Sequence, residues 1–261
     1  MKPVALLRTT AGCPYRCTFC SIWKAMDGHY LIRDIDPVVE ELRSIQEDWV
    51  FLVDDEAFIN RKRMLELAAS IKAAGIRKRF FTYCRIDTLL RNRDAVEAWR
   101  DIGLERLFIG IDAISRKDLD EYNKKCDVAE IEVGLQLAAQ MGIDVFAQFV
   151  VNTDYSKRHF QQLVRFIDHH RIQYPSFTVL TPLPGTDLLK TFDQVVERQP
   201  NGRPNWDLFD CQNAVTGTRL PPQEFRREYR NLYHVFKGAY TQYREHNVIL
   251  DEYDPGISAC V

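Results

Sequence analysis

Along the chain, short continuous apolar runs alternate with longer stretches whose apolar residues recur at helical spacing. Val4–Thr9, Trp49–Val53, Phe80–Ile86, Arg106–Ile111, Asp144–Val151 and Ser176–Leu180 are the strand-like runs. A run that is apolar at nearly every position suits a parallel strand covered on both faces. Between the first two, Asp36 has the place of an N-cap with Pro37 at the first helical position, followed by Val38, Val39, Leu42 and Ile45 at helical spacing. Met64, Leu65, Ala68 and Ile71 give a further helical face that stops near Gly75, and Ala95–Ile102 another that ends at Gly103. Val128–Met141, closed by Gly142, and His159–His170 complete the set.

Six strands, each followed by a helix, predict an α/β domain with a parallel sheet, either a β/α barrel or an open barrel. A flavodoxin-like open sheet has the same period, and periodicity does not separate the two. In both, chemistry gathers at the carboxyl ends of the strands. The cysteine-rich loop after Thr9, the acids Asp54 and Asp55, Asp112 and the turn Pro182-Leu183-Pro184-Gly185-Thr186 all fall at such ends. In that turn Gly185 suits a positive φ and Thr186 a helix N-cap. After about Phe192 the pattern changes. Residues 193–221 read as irregular, and a long helix follows with Phe225, Tyr229, Leu232, Tyr233, Phe236, Tyr240 and Tyr243 on one face. The expected division is a barrel over residues 1–192 and, over 193–261, an irregular segment plus an amphipathic helix packing on or capping it.

The 261 residues suffice for one large domain with an appendage, and 46% hydrophobic with 28% charged residues is ordinary for a globular protein. A formal net charge of -2 gives no reason to expect a nucleic-acid partner; Arg77-Lys78-Arg79 and Arg226-Arg227 read as solvated faces or helix ends. No apolar run approaches the ~20 residues needed to span a bilayer, and the N-terminus lacks the pattern of a signal peptide. A cytoplasmic location is the expectation.

Of seven cysteines, Cys13, Cys17 and Cys20 crowd one loop while Cys84, Cys126, Cys211 and Cys260 are scattered. A tight cluster in a reducing compartment points to metal rather than disulfides. Three thiolates on one short loop can each bind a different iron of a cubane, leaving the fourth iron without a protein ligand. A structural zinc site wants four ligands in a closed shell, and His29 stands in no zinc-finger spacing. A non-catalytic metal-binding module nevertheless remains an alternative at this point.

The C-x3-C-x2-C spacing after a strand, with aromatic Phe19 just before the last cysteine, resembles the signature of the radical S-adenosylmethionine (SAM) superfamily. The resemblance implies a partial (β/α)6 barrel with a C-terminal helical extension. It also implies a [4Fe–4S] cluster that reductively cleaves SAM to a 5′-deoxyadenosyl radical. Asp54-Asp55-Glu56 is similar to the acidic segment that receives the methionine amino group in the cobalamin-dependent branch. Tyr83-Cys84-Arg85-Ile86-Asp87 resembles that branch's Tyr-x-Arg-x-Asp, in which Arg85 would clamp the SAM carboxylate. Gly110-Ile111-Asp112-Ala113 is similar to the family's Gly-Ile-Glu-Ser, with Asp112 in the place of the ribose-binding carboxylate and Ala113 in that of Ser. Gln148 stands on the strand that contacts adenine. The resemblance thus implies Phe19, Asp54, Asp55, Arg85, Asp112 and Gln148 as cofactor contacts.

Within the branch, Cys20-Ser21-Ile22-Trp23-Lys24, Tyr122-Asn123-Lys124-Lys125 and Arg198-Gln199-Pro200-Asn201-Gly202-Arg203-Pro204 resemble hopanoid C-3 methylases. That likeness implies methylation of an unactivated carbon of a polycyclic lipid, with cobalamin as methyl carrier. It also implies a reductant such as flavodoxin or ferredoxin, and a membrane-peripheral position from which to reach a lipid. Asp27-Gly28-His29 is not the Asp-x-His-x-x-Gly motif of a cobalamin-binding domain. Cobalamin is therefore expected from a further domain or partner, unless the reaction is a rearrangement or oxidation without it.

Overall fold

The structure is a computed structural model and describes residues 3–237. Strand β1 (Val4–Leu7) leads to a small antiparallel ribbon, β2 (Thr10–Ala11) with β3 (Leu31–Ile32), which brackets the cysteine loop and the one-turn helix α1 (Ile22–Ala25). Alternation then sets in: α2 (Ile35–Ser44), β4 (Trp49–Leu52), α3 (Arg61–Ala73), β5 (Arg79–Cys84), α4 (Ile86–Arg91), α5 (Arg93–Arg100) and β6 (Leu104–Asp112). It continues through α6 (Arg116–Glu121), α7 (Val128–Gln140), β7 (Asp144–Val151), α8 (Lys157–His169), β8 (Tyr174–Val179) and, after an irregular stretch, α9 (Pro222–Val235).

The main sheet has the order β1-β4-β5-β6-β7-β8, parallel throughout. Every strand lies beside its predecessor, so each crossover steps the same way. With right-handed crossovers this places the helices on one face, whereas a flavodoxin-like sheet reverses direction and covers both. The ambiguity of the sequence pattern is thereby resolved toward a six-stranded partial barrel. Ring contacts mark the helical face: Trp99 of α5 meets Phe80 edge-on at 5.2 Å, and Phe166 of α8 meets Phe149 at 6.3 Å. The alternate residues Phe81 and Phe108 therefore point to the opposite face, where their rings meet at 5.9 Å.

Several boundaries differ from expectation for local reasons. Helix α2 starts at Ile35 with Asp34, not Asp36, as its N-cap residue. Pro37 is still within the first turn, where its missing N–H would have had no intrahelical partner. Strand β5 ends at Cys84 because Arg85 leaves the ladder to become the N-cap residue of α4, a helix the periodicity did not reveal. Gly185 has φ +81° as expected, but no helix follows Thr186; its hydroxyl instead donates to the Leu183 carbonyl at 2.6 Å, closing the turn.

Beyond β8, the irregular stretch is tied back where the Val179 N–H donates to the Cys211 carbonyl at 2.7 Å. Helix α9 packs on the outer layer. Buried Phe225 meets Phe160 edge-on at 5.6 Å, and the Tyr229 hydroxyl donates to the Phe177 carbonyl at 2.9 Å. Phe225, Tyr229 and Leu232 are buried and contribute roughly 1.5–3 kcal/mol each. Tyr240 and Tyr243 lie outside the described residues.

Two glycines that close helices make a controlled comparison. At Gly103 (φ +114°) an added Cβ would sit 2.1 Å from the Lys78 carbonyl oxygen, while at Gly75 (φ +66°) it would meet nothing within 4 Å. Gly75→Ala should therefore cost about 1 kcal/mol of backbone strain alone, and Gly103→Ala clearly more, because Lys78 must shift. Urea unfolding of both variants checks the order; equal midpoints would contradict it.

Candidate active site

The cysteine loop is held from below by carboxylates at the end of β4. Asp54 is fully buried and both its oxygens are committed: Oδ1 accepts from the Thr9 and Thr10 N–H groups at 2.7 and 2.9 Å, and Oδ2 from the Thr9 hydroxyl at 2.6 Å. Arg63 of α3 adds donors to the Thr9 hydroxyl and to the Thr9 and Arg33 carbonyls. Asp55 accepts from the Gly12 N–H at 2.7 Å. Gly12 itself (φ +88°) lies so near the His29 carbonyl that a Cβ would come within 2.1 Å of its oxygen, so only glycine allows the loop to leave the ribbon there.

From this base the loop presents Cys17, buried, and Cys13 and Cys20, half-buried; all three are free thiols. The Trp23 indole N–H donates to the Cys17 carbonyl at 3.0 Å. Burial pushes the Cys13 thiol up to about 12 and raises that of Cys20. Metal binding at these thiols would release their protons. Among the described residues, no group of three or more His, Cys, Asp or Glu side chains is disposed to hold a single ion. A cubane asks for a different arrangement, one thiolate to each of three irons.

Arg85 crosses beneath the cysteines. Its Nε donates to Asp87 at 2.8 Å, its Nη1 lies 3.5 Å from the Cys17 sulfur, and its guanidinium carbon sits 3.8 Å from the centroid of the Tyr15 ring. Burial works against its charge, but Asp87 and Cys17 outweigh it and hold the guanidinium protonated. Nη2 is buried and has no partner. The same is true of Oε1 of Glu56, a residue 1% exposed. Burial pushes the Glu56 carboxyl up to about 8, with the Arg85 charge and backbone N–H acting against the rise. An orphaned acid and an orphaned guanidinium near the cysteines complement the ammonium and carboxylate of an amino-acid zwitterion. These residues fit a site-differentiated cluster with SAM.

Asp112 ends β6 with φ +63° beside a register shift against β7. Its Oδ2 is 2.5 Å from Nζ of Lys124, which also donates to the Gly110 carbonyl at 3.0 Å. Burial disfavours the Lys124 charge, but the Asp112 carboxylate raises its pKa. Phe19 meets Tyr122 edge-on at 5.3 Å, and half-buried Gln148 sits between Gly110 and Ser176 in the sheet register. Cysteines, acids, Arg85, Asp112 and Gln148 thus share the carboxyl end of the sheet. Of the expected contacts, Asp54 is spent on the loop. Two residues that the expected contact set omits, Glu56 and Lys124, stand at the centre. The three-acid run marked the place, but which acid is left over depends on which backbone amides reach the other two.

Residues 7–167 match the Radical SAM superfamily, and the chain belongs to it. Membership implies a [4Fe–4S] cluster and SAM. The chain is similar to a hopanoid C-3 methylase of Methylococcus capsulatus, 33% identical over 87% of this chain and 43% of that protein. It is also similar to an anaerobic magnesium-protoporphyrin IX monomethyl ester cyclase of Cereibacter sphaeroides, 28% identical over 74% of this chain and 33% of the relative. The chain therefore spans less than half the length of either relative. In fold it resembles the radical SAM methyltransferase TsrM from Kitasatospora setae (TM-score 0.64, 17% identity, 87% of this chain and 46% of that one), which has also been solved with cobalamin and a [4Fe–4S] cluster bound. The cobalamin-dependent radical enzyme OxsB is similar too, with TM-score 0.64 and 15% identity over 83% of this chain and 39% of that one.

The raised Glu56 carboxyl fixes a pH dependence. Its folded pKa lies above the unfolded one, so the unfolded state binds fewer protons and stability of the metal-free protein falls as pH rises from about 4.5 to about 8. Glu56→Gln removes this term. The stability difference between variant and wild type should grow across that window, by at most ~1.4 kcal/mol per pH unit. Parallel urea titrations at several pH values measure it, and a constant offset would contradict the assignment.

Proposed function

We propose that this chain supplies the catalytic core of a radical SAM C-methylase acting on an unactivated carbon of an apolar, hopanoid-like lipid, with cobalamin as methyl carrier. The observation behind the cluster and SAM site is that Glu56 Oε1 and Arg85 Nη2 are both buried without a partner near three free thiols; the methylation rests on likeness to the hopanoid C-3 methylase. Cys13, Cys17 and Cys20 hold the cluster, which when bound supplies the electron that splits SAM into methionine and a 5′-deoxyadenosyl radical. Glu56, with Asp55 at the rim, takes the methionine ammonium. Arg85 turns its free Nη2 to the carboxylate while Asp87 fixes its Nε. Asp112 accepts from the ribose hydroxyls, and Phe19 and Gln148 flank the adenine. Asp54 acts through the loop it holds. A flavodoxin or ferredoxin delivers the electron, and cobalamin comes on a further domain or a partner.

A row of rings on the face opposite the helices supports an apolar substrate. Tyr83, Phe108, Phe146 and Tyr174 are successive register partners, with ring centroids 5.3, 5.0 and 4.7 Å apart, and Phe51 and Phe81 extend the row, stacked at 4.5 Å. Tyr83 and Phe146 lie two residues before Arg85 and Gln148, so the row runs about 7 Å below the cofactor contacts. Arg79 and Arg106, stacked on Trp49, bound the row at the amino ends of the strands; the flat ring surface between them and the cofactor contacts favours a polycyclic hydrocarbon over a polar metabolite. No helix among the described residues is long and apolar enough to cross a membrane; a cytoplasmic, membrane-peripheral position gives access to such a lipid. A rearrangement or oxidation without methyl transfer is the second reading, favoured by likeness to the cyclase.

Anaerobic reconstitution followed by reduction with SAM should yield 5′-deoxyadenosine from wild type and none from Cys17→Ala. With cobalamin and a pentacyclic triterpene, labelled methyl from SAM should reach the lipid; 5′-deoxyadenosine with no methyl transfer would favour the second reading. Tyr83→Glu, at a ring 36% exposed, should weaken triterpene binding about tenfold while leaving SAM affinity within twofold. Unchanged triterpene affinity would remove the ring row from the substrate path.

A further inference from the structure

The connection after α6 reaches both halves of the cofactor site within three residues. Toward the cysteine loop, the Tyr122 carbonyl accepts from the Thr18 N–H at 3.2 Å, and the neighbouring Glu121 carbonyl accepts from the Thr18 hydroxyl at 3.0 Å. The Asn123 side chain donates to the Arg16 carbonyl at 2.7 Å, and the Tyr122 ring backs Phe19. Toward the end of β6, Lys124 clamps Asp112 at 2.5 Å and the Gly110 carbonyl at 3.0 Å. Asn123 (φ +54°) and Asp112 (φ +63°) both adopt the left-handed conformation. Asn and Asp tolerate that region better than most residues, yet it still has a cost, which these bonds offset.

We propose that Tyr122–Lys124 is a coupling strut that makes the cysteine loop and the Asp112 carboxylate one mechanical unit, so that a nucleoside bound at Asp112 tightens the hold on the cluster. Lys124 is a positioning residue: its ammonium bonds Asp112 and the Gly110 carbonyl and acts on Cys17 only through its charge, and in the reading above it touches no part of SAM. The inference rests on that reading in one respect, the nucleoside at Asp112. The physical warrant is contiguity. Three hydrogen bonds tie the segment to Arg16 and Thr18 of the cysteine loop, and the buried Lys124 ammonium ties it to Asp112 and Gly110. With Tyr122 and Lys124 buried and Asn123 and Asp112 short of comfortable backbone alternatives, displacement at one end has little slack in which to dissipate. Coupling of this kind is reciprocal, with the same factor in both directions.

The test uses adenosine, which has the ribose but no amino-acid end and so cannot reach the open iron. Reconstituted protein is exposed anaerobically to an iron(II) chelator, and cluster loss is followed by absorbance with and without saturating adenosine. In wild type, adenosine should slow the loss about fivefold or more. In Asn123→Gly, which keeps the left-handed backbone but removes the bond to Arg16, and in the charge-neutral pair Lys124→Met with Asp112→Asn, this protection should vanish. Without ligand, both variants should lose the cluster faster than wild type. If Asn123→Gly is protected as well as wild type, the strut is wrong. If adenosine fails to bind wild type in equilibrium dialysis, the nucleoside role of Asp112 falls, and the ligand-free rates decide the strut alone: equal rates in wild type and both variants overturn it.

Discussion

The site depends on how a loop with three thiols is held still before any metal arrives. Asp54 does this with three hydrogen bonds to Thr9 and Thr10, and Arg63 reinforces Thr9 from α3. Because Asp54 follows closely on β4, the partner of β1 in the sheet, the loop's first turn is fixed to the barrel wall and not to solvent. A buried carboxylate with both oxygens in use is tolerable; one without partners is costly. That asymmetry sorts the acids at the end of β4. Asp54 and Asp55 are taken up by backbone amides, and Glu56 is left with an uncommitted buried oxygen.

Charge is the second constraint. Thiolates in a partly desolvated loop need cations, and buried Arg85, against the Cys17 sulfur, and buried Lys124, paired with Asp112, stand at the cysteine end of the sheet. Arg85 is pinned on one edge by Asp87 and stacked on Tyr15, so its remaining nitrogen is aimed rather than free to wander. Positioning of this kind is what the protein contributes when a cofactor carries the difficult chemistry.

Much of the architecture was legible because the parallel strands are apolar at nearly every position, a pattern that survives without tertiary information. Helix ends were less so. Asp34 rather than Asp36 begins α2, and α4 was hidden because Arg85 leaves the strand within a motif that reads as one continuous run. The three cysteines were visible from spacing alone. Glu56 was read only as part of the three-acid run and Lys124 only within Tyr122-Asn123-Lys124-Lys125, since their individual importance comes from distant partners: Asp112 for Lys124, the amides that satisfy Asp54 and Asp55 for Glu56. The ring row had no sequence signal either, because register alone brings Tyr83, Phe108, Phe146 and Tyr174 side by side.

The central claim is that this loop holds a cube with one iron left open for SAM. Electron–nuclear double resonance on the reduced, reconstituted protein with SAM labelled by 15N at the amino group and 17O at the carboxylate measures that contact. The account predicts hyperfine coupling from both labels to the cluster, lost in Glu56→Gln for the nitrogen. A cluster whose spectrum is unaffected by SAM, or a fourth protein ligand on the cube, would contradict it.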